Sequence, residues 1–193
     1  MERNNVMYRT MQSVLTTRDG ETNEAPVIEG YFAVFDSNYD MGYGMSESVA
    51  PGAFSETLAG DVRALIDHDT RLVLGRTTAH TLELREDSHG LWGKIYINPK
   101  DSEAMNLYER VKRGDVSQCS FGFEILSEET TFPADGKIHW RITKVMLYEV
   151  SCCTYPAYEE TGISARKKDR EQIEKRKSEA WKSALLKKLK GEK

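Results

Sequence analysis

A series of short strand-forming segments between residues 27 and 154 constrains the fold of this chain most. Residues 27–35 are apolar on both faces, which predicts a buried central strand. Further apolar or alternating segments follow, separated by turn-forming residues, at 62–66, 72–75, 81–85, 91–97, 116–126, 138–143 and 145–154. Residues 87–90 are expected to form a hairpin turn that pairs 91–97 with the strand before it. The pattern predicts a mainly β or α+β domain whose strands form a closed β-barrel.

Other segments are predicted to flank these strands. Residues 55–58 are expected to form a short helix, and a longer amphipathic helix is expected to end at Gly114, because apolar residues recur there at helical spacing: Ala104, Leu107, Tyr108 and Val111. Residues 7–17 are compatible with an edge strand, whereas 36–48 and 127–137 are expected to be surface loops.

Charge divides the chain unevenly. From residue 166 to the end there are 12 Lys or Arg and 5 Asp or Glu, although the net charge of all 193 residues is only −4. We therefore expect an N-terminal segment (1–26), an acidic body (27–165) and a basic tail (166–193). Trp181, Leu185 and Leu189 lie one turn apart, which predicts an amphipathic tail helix; a disordered charged tail is the alternative.

Composition argues against several classes of protein. No apolar run is long enough to span a bilayer, and the N-terminus does not resemble a signal peptide, so we expect an intracellular protein. Three cysteines (Cys119, Cys152 and Cys153) are an odd number and indicate packed, reduced thiols. No metal-ligand or nucleotide-binding motif is present, so no cofactor and no metal are predicted.

Ser120 is the first candidate for chemistry. In the strand predicted around it, Phe121 and Phe123 share one face, and Ser120 and Gly122 share the other. A serine beside a glycine, where a substrate backbone can approach closely, is a possible nucleophile. An ordinary strand serine is the alternative.

His68 and Glu149 are the candidates for a base and an acid. His68 ends an apolar strand between two aspartates, which could orient an imidazole as a general base requires. Glu149 lies inside an apolar strand, where a buried carboxylate needs a partner. The alternatives are a polar surface turn for His68 and an outward-facing edge position for Glu149. Of the other histidines, His80 and His89 are expected to be solvated.

Taken together, the motifs resemble a known family. In order, they are Gly52-Ala53-Phe54, His68-Asp69 with Leu74-Gly75, Ser120-Phe121-Gly122-Phe123, and Glu149-Val150-Ser151 with Pro156-Ala157. This ordered set resembles the prohead (capsid-maturation) serine proteases of tailed bacteriophages over residues 27–157. That family is similar in fold to the herpesvirus assemblins, which implies a β-barrel surrounded by helices.

The resemblance assigns a role to each candidate. Ser120 matches the family's nucleophile, His68 its histidine base, and Glu149 the position of the acidic third member. Because assemblins use a second histidine as the third member, His139 is a rival to Glu149. Ser117 is a rival to Ser120, since its surroundings are similar to the assemblin nucleophile segment.

Two further points concern the same site. Cys119 has no counterpart in the family as a nucleophile. The turn at residues 110–114 is a candidate source of the backbone amides that form the oxyanion hole.

The resemblance also implies a biological role. The expected protein is a phage- or prophage-encoded serine endopeptidase within the procapsid, in the host cytoplasm, that cleaves scaffold or capsid precursor protein and also itself. The major capsid protein and its scaffold domain are the expected partners, with self-association possible and no membrane partner. The alternative is a non-enzymatic scaffold or assembly chaperone with a protease-like barrel. Nucleic-acid binding by the tail rests on charge alone.

Overall fold

The computed structural model describes residues 6–12, 15–20, 25–133, 137–155 and 160–189. The strands are β1 Met7–Gln12, β2 Thr16–Arg18, β3 Val27–Val34, β4 Tyr39–Gly42, β5 Met45–Val49, β6 Arg63–Ile66, β7 Asp69–Arg76, β8 Leu82–Glu86, β9 Gly90–Tyr96, β10 Gln118–Thr131 and β11 Ile138–Cys153. The helices are α1 Ser102–Arg113, α2 Glu160–Leu189 and a short 3-10 helix at Thr77–Ala79. The chain divides into two compact units, 1–159 and 160–193.

The strands of the first unit form two sheets. The larger sheet has the order β1-β10-β11-β5-β4, and β6 joins it by pairing with β11 and with β7. The smaller sheet has the order β2-β3-β9-β8. Most neighbours are antiparallel, but β11 runs parallel to both β5 and β6. The fold is therefore mainly β with few helices, as the α+β prediction required.

The prediction of a closed barrel is wrong. Among the strands that the structure describes, no backbone ladder joins the larger sheet to the smaller one. One hydrophobic core instead contains residues of both sheets, including Ile28, Phe32 and Ile95 from the smaller and Phe121 and Phe123 from the larger. The two sheets therefore bury apolar surface against each other, and this burial does not require their edges to be joined.

Local sequence signals predicted several elements correctly. The hairpin of β8 and β9 turns at 87–89, where the Asp87 carboxylate accepts hydrogen bonds from the amides of His89 and Gly90. Helix α1 begins at an Asp101 side chain that caps the amides of Glu103 and Ala104, and it ends at Gly114, whose φ is 88°. An aspartate N-cap and a left-handed glycine are the usual signals for the two ends of a helix.

The predicted helix at 55–58 does not form. The segment consists of consecutive turns, with hydrogen bonds such as Ser55 N to Gly52 O and Thr57 N to Phe54 O. Side chains bind backbone groups here: the Phe54 amide donates to the Glu86 carboxylate, and the Thr57 hydroxyl accepts from the Leu147 amide. These contacts fix the segment in a non-helical conformation.

Two predicted loops contain strands. Within 36–48, β4 and β5 pair as a hairpin around Tyr43 and Gly44, both of which have positive φ. Within 127–137, β10 continues to Thr131 because its residues remain paired with β11 as far as His139. β11 is one strand with register shifts along its pairing with β10, whereas two separate strands were predicted.

The described part of the second unit is a single 30-residue helix, α2. It begins at Glu160, before the boundary expected at 166, and contains residues 166–189 of the basic tail. Trp181 and Leu185 are exposed, and the side chain of Leu189 lies outside the described residues. No described helix combines the length and the hydropathy that a membrane span needs.

Candidate active site

A strained hairpin turn carries His68. Asp67 and His68 connect β6 to β7, and their φ angles are 46° and 62°. Positive φ at both central residues is characteristic of a type I′ turn, and it is costly for residues other than glycine. Three contacts with β11 and the residue after it hold the turn. Asp67 N donates to Cys152 O, His68 N donates to Ser151 Oγ at 3.3 Å, and Thr154 N donates to the Asp67 carboxylate.

The parallel pairing of β6 with β11 brings His68 to Glu149. Arg63 is the partner of Glu149 in this ladder, and the turn that follows β6 lies beside the end of β11. His68 Nδ1 lies 2.6 Å from Glu149 Oε1. Because a carboxylate accepts hydrogen bonds, Nδ1 carries the proton and Nε2 is left as an acceptor. The Glu149 side chain is almost fully buried, so this contact has little competition from water.

Ser151 completes the surroundings of the carboxylate. Its hydroxyl donates to Glu149 Oε2 at 2.6 Å and accepts from the His68 amide. Both oxygens of Glu149 therefore have donors, as a buried charge requires. Ser151 links the carboxylate to the backbone of the turn and is itself fully buried.

Ser120 lies on the same face of the sheet. It is the Cα partner of Ser151, and Gly122 is the partner of Glu149, in the ladder between β10 and β11. A Cβ built on Gly122 would collide with the Glu149 carboxylate, so this face of β10 points towards the acid. Ser120, two residues away without an intervening register shift, has the same orientation.

The Ser120 hydroxyl has a different partner from His68. Its Oγ donates to Arg9 O at 3.0 Å, and the residue has 0% exposure. The contact of His68 Nε2 is the Cys153 sulfur, at 3.8 Å. The structure thus brings His68 and Glu149 into contact and places Ser120 on their face, with its hydroxyl directed to β1.

The Cys153 thiol is neutral in this environment. Burial raises its pKa well above the ordinary value, and the negative charges of Asp67 and Glu149 act in the same direction. A neutral thiol can donate weakly to Nε2, but it is a poor nucleophile.

The sequence suggested that the aspartates next to His68 orient its ring, but in the structure they do not. The Asp67 carboxylate accepts from Thr154, and the Asp69 carboxylate binds Arg71 on the surface. The Arg71 hydrogen bonds lower the pKa of Asp69 to about 2. Glu149, from a distant strand, is the carboxylate that contacts the imidazole.

The rival residues lie elsewhere. His139 binds Ser46 Oγ through Nδ1 and Ser48 Oγ through Nε2, at 2.9 and 3.0 Å, and it is ten positions before Glu149 in β11. Ser117 is exposed and precedes β10. Cys119 is buried and, by strand alternation, faces away from the side of Ser120. His80 and His89 are exposed, as predicted.

The turn at 110–114, proposed to supply the oxyanion hole, is the end of helix α1. Residues 110–113 lie within the helix, and the Gly114 amide donates to the carbonyls of Arg110 and Val111, so it caps the helix. Of the family motifs, Phe54 packs edge-on against Phe121 at 5.5 Å in the core, whereas Pro156 and Ala157 lie outside the described residues.

Sequence reasoning missed Ser151, Cys153 and Tyr8. The first two follow Glu149 at intervals of two, so strand alternation could have predicted their shared face. Tyr8, whose ring lies 4.4 Å from that of His68, belongs to β1, and no local signal indicated its pairing with β10. Among the described residues, no three His, Cys, Asp or Glu side chains form a group that could hold a metal ion.

Comparisons with known proteins relate the chain to phage capsid proteases. Residues 13–176 match the family described as caudovirus prohead serine protease. The prohead protease of Enterobacteria phage HK97 is 32% identical over 155 residues, covering 78% of this chain and 63% of that protein. The chain thus spans less than two thirds of the length of this relative. A solved structure of the bacteriophage T4 capsid assembly protease aligns with a TM-score of 0.44 and 10% identity, over 77% of this chain and 99% of that one.

Proposed function

Because the chain belongs to the family of caudovirus prohead serine proteases, we propose that it is a serine endopeptidase that processes proteins of an assembling procapsid. The substrates are the scaffold or the scaffold domain of the major capsid protein, and the enzyme also cleaves itself. It acts within the procapsid in the host cytoplasm. The observation that carries the proposal is the contact of 2.6 Å between His68 Nδ1 and Glu149 Oε1, on the face that also holds Ser120.

The proposed reaction is acyl transfer. The Ser120 hydroxyl attacks a peptide carbonyl while His68 Nε2 accepts its proton, and the protonated imidazole then donates that proton to the leaving amine. Water attacks the acyl-enzyme by the same route and releases the second product. Glu149 keeps the proton on Nδ1 and stabilises the imidazolium, and the Ser151 hydroxyl keeps the carboxylate in place.

The nucleophile and the base both have to move before they can meet. The Ser120 hydroxyl, now bonded to Arg9 O, has to turn towards Nε2, where the Cys153 thiol lies. Both groups are on the same face, so the change needs side-chain rotation and a small movement of the imidazole.

Single substitutions test the assignment. Ser120→Ala and His68→Ala should each reduce cleavage of the scaffold substrate by at least about a thousandfold. Ser117→Ala, which removes an exposed serine three positions earlier, is the matched control and should cleave like the wild type. Gel analysis of scaffold and mass spectrometry of the enzyme measure both activities. Complete processing by Ser120→Ala would contradict the nucleophile assignment, whereas co-assembly with capsid protein without any cleavage by the wild type would favour the non-enzymatic scaffold.

A further inference from the structure

Strand β1 lies where a substrate would have to bind. Thr10 is the Cα partner of Ser120, and the carbonyl of Arg9 accepts the Ser120 hydroxyl hydrogen bond at 3.0 Å. A serine nucleophile needs the carbonyl carbon of an incoming peptide about 3–3.5 Å away, so a substrate carbonyl would have to lie beside this same hydroxyl. The protein's own main chain thus holds the position next to the hydroxyl, and Ser120 has no solvent exposure.

Tyr8 covers the base from the same strand. Its ring lies 4.4 Å from the His68 ring, at an interplanar angle of 57°. Tyr8 is the Cα partner of Gly122, and a Cβ added at Gly122 would approach the Tyr8 ring to 2.9 Å. The ring therefore packs over the active face at the one position of β10 that lacks a side chain.

The pairing of β1 with β10 has the same form as a common mode of peptide binding, in which an extended peptide adds a strand to the edge of a sheet. The two strands are antiparallel from Met7 opposite Phe123 to Gln12 opposite Gln118. β1 is the outermost strand of this sheet, so its removal would expose the edge of β10. An extended peptide binds such an edge through main-chain hydrogen bonds, and pockets for alternate side chains give specificity.

On its other face, β1 places the basic side chain of Arg9 against the buried carboxylate of Glu47. Arg9 Nε donates to Glu47 Oε1 at 2.6 Å and Arg9 Nη2 donates to Glu47 Oε2 at 3.0 Å, and both side chains are buried. The guanidinium also lies over the Phe123 ring, 5.8 Å from its centroid. Beside this pair is a cavity of about 320 Å³, lined by Val34, Tyr39, Val49 and Phe121 among others. A carboxylate with bidentate geometry favours an arginine in this position.

We propose that the edge of β10 beside Ser120 is the substrate-binding site, that β1 occupies it within the same chain, and that a substrate replaces β1 with an extended segment whose basic side chain pairs with Glu47. The proposal rests on the proposed protease function. It identifies the substrate class as an extended peptide with a basic residue beside the reacting carbonyl. It also explains why a nucleophile is fully buried.

A reversible crosslink in the full chain tests it. Met11 is the Cα partner of Cys119, so Met11→Cys places two thiols at opposed positions, where a disulfide can form between β1 and β10. Labelling of Ser120 by a fluorophosphonate, and cleavage of scaffold protein, are measured before and after reduction. We expect the oxidised form to label at least about tenfold more slowly than the reduced form, because β1 can no longer leave. Peptide mapping verifies the disulfide.

The reduced form is the folding control for the oxidised form. A second crosslink, Thr16→Cys with Glu29→Cys, joins partner positions of β2 and β3 in the other sheet, and its oxidation should not change the rate. Equal labelling of oxidised and reduced Met11→Cys would overturn the proposal and leave the protease function intact. If neither the wild type nor the reduced variant labels at Ser120, the protease function fails and this proposal fails with it.

Removal of the Tyr8 ring tests whether it covers the base. Tyr8→Ala should label faster than the wild type, because the ring no longer packs on His68, whereas Tyr43→Ala, which removes an exposed ring from the β4–β5 turn, should not.

Competing peptides test the selection for charge. In Tyr8→Ala, a peptide copied from residues 6–12 should slow labelling. The same peptide with Arg9→Gln should need about tenfold more to reach the same effect, because it loses a charge-assisted pair. Equal potency of the two peptides would refute the role of Glu47.

Discussion

At the scale of single residues, alternation along β11 assembles the polar part of the site. Glu149, Ser151 and Cys153 share a face, and each contacts His68 at a different atom: Nδ1, the backbone amide and Nε2. The carboxylate is buried, yet each of its oxygens accepts a hydrogen bond. The imidazole is therefore oriented by groups that are themselves fixed, which is the requirement for a well-positioned base.

Ser151 should be important for turnover although it does not touch the substrate. Ser151→Ala leaves Glu149 Oε2 without its donor, and we expect kcat to fall about ten- to a hundredfold with little change in KM. Steady-state kinetics at a series of pH values measure this effect, because the fall should appear in the plot of kcat against pH. Ser46→Ala, which removes a hydroxyl that contacts another half-buried histidine, His139, is the control. Identical kinetics of the two variants would show that Ser151 has only a structural role.

Buried thiols should make stability depend on alkaline pH. Burial raises the pKa of Cys153 in the native state, whereas an unfolded cysteine has a pKa of about 8.5. Above that pH the unfolded chain loses the thiol proton and the native protein keeps it, so a rise in pH favours unfolding. The contribution is complete below about pH 8.5 and is lost above it, by up to about 1.4 kcal/mol per pH unit.

Urea unfolding between pH 7 and 10 measures this dependence. The free energy of unfolding of the wild type should fall more steeply above about pH 8.5 than that of Cys153→Ala, which has no thiol at this position. Parallel curves for the two proteins would exclude a raised native pKa for Cys153.

At the scale of elements, the β6–β7 turn determines where the base lies. It places two residues in the left-handed region, and this strain is compensated by hydrogen bonds to the end of β11. Residues in such conformations persist when their surroundings fix them, and they are common at functional sites. The turn and β11 therefore act together as the support of His68.

Asp67 should affect activity through this support. Asp67→Ala removes the acceptor of the Thr154 amide and hydroxyl, so we expect the free energy of unfolding to fall by about 1–2 kcal/mol and kcat/KM by about tenfold. Asp69→Ala is the matched control, because Asp69 binds only surface Arg71 and should change stability by less than about 0.5 kcal/mol. Thermal unfolding and peptide cleavage measure both quantities. An equal effect of the two substitutions would contradict this role of the turn.

At the scale of the whole molecule, two sheets with one core hold residues from distant parts of the chain in contact. The larger sheet contains β1, β6, β10 and β11, which carry or support Tyr8, His68, Ser120 and Glu149. The smaller sheet contributes core residues such as Phe32 and Ile95, so it packs against the larger sheet and supports it. Ser120 and Glu149 therefore lie on paired strands of this sheet, and His68 lies on the turn between two of its strands.

The sequence by itself determined the elements whose signals are local. Periodicity and the terminal glycine predict α1, a segment that is apolar on both faces predicts β3, and the turn residues at 87–90 predict the β8–β9 hairpin. Side-chain alternation also predicts that Ser120 and Gly122 share a face. These features depend on neighbours a few positions away, so no knowledge of the fold is needed.

Only the tertiary structure decided which partners these residues have. Glu149, rather than Asp67 or Asp69, meets His68 although the two residues are 81 positions apart in the chain. This contact depends on the register of β6 against β11. That Ser120 bonds to Arg9, across 111 positions, depends on the pairing of β1, and the open edges of the two sheets depend on how they pack. Such contacts follow from the shared burial of apolar faces, which depends on all the elements at once.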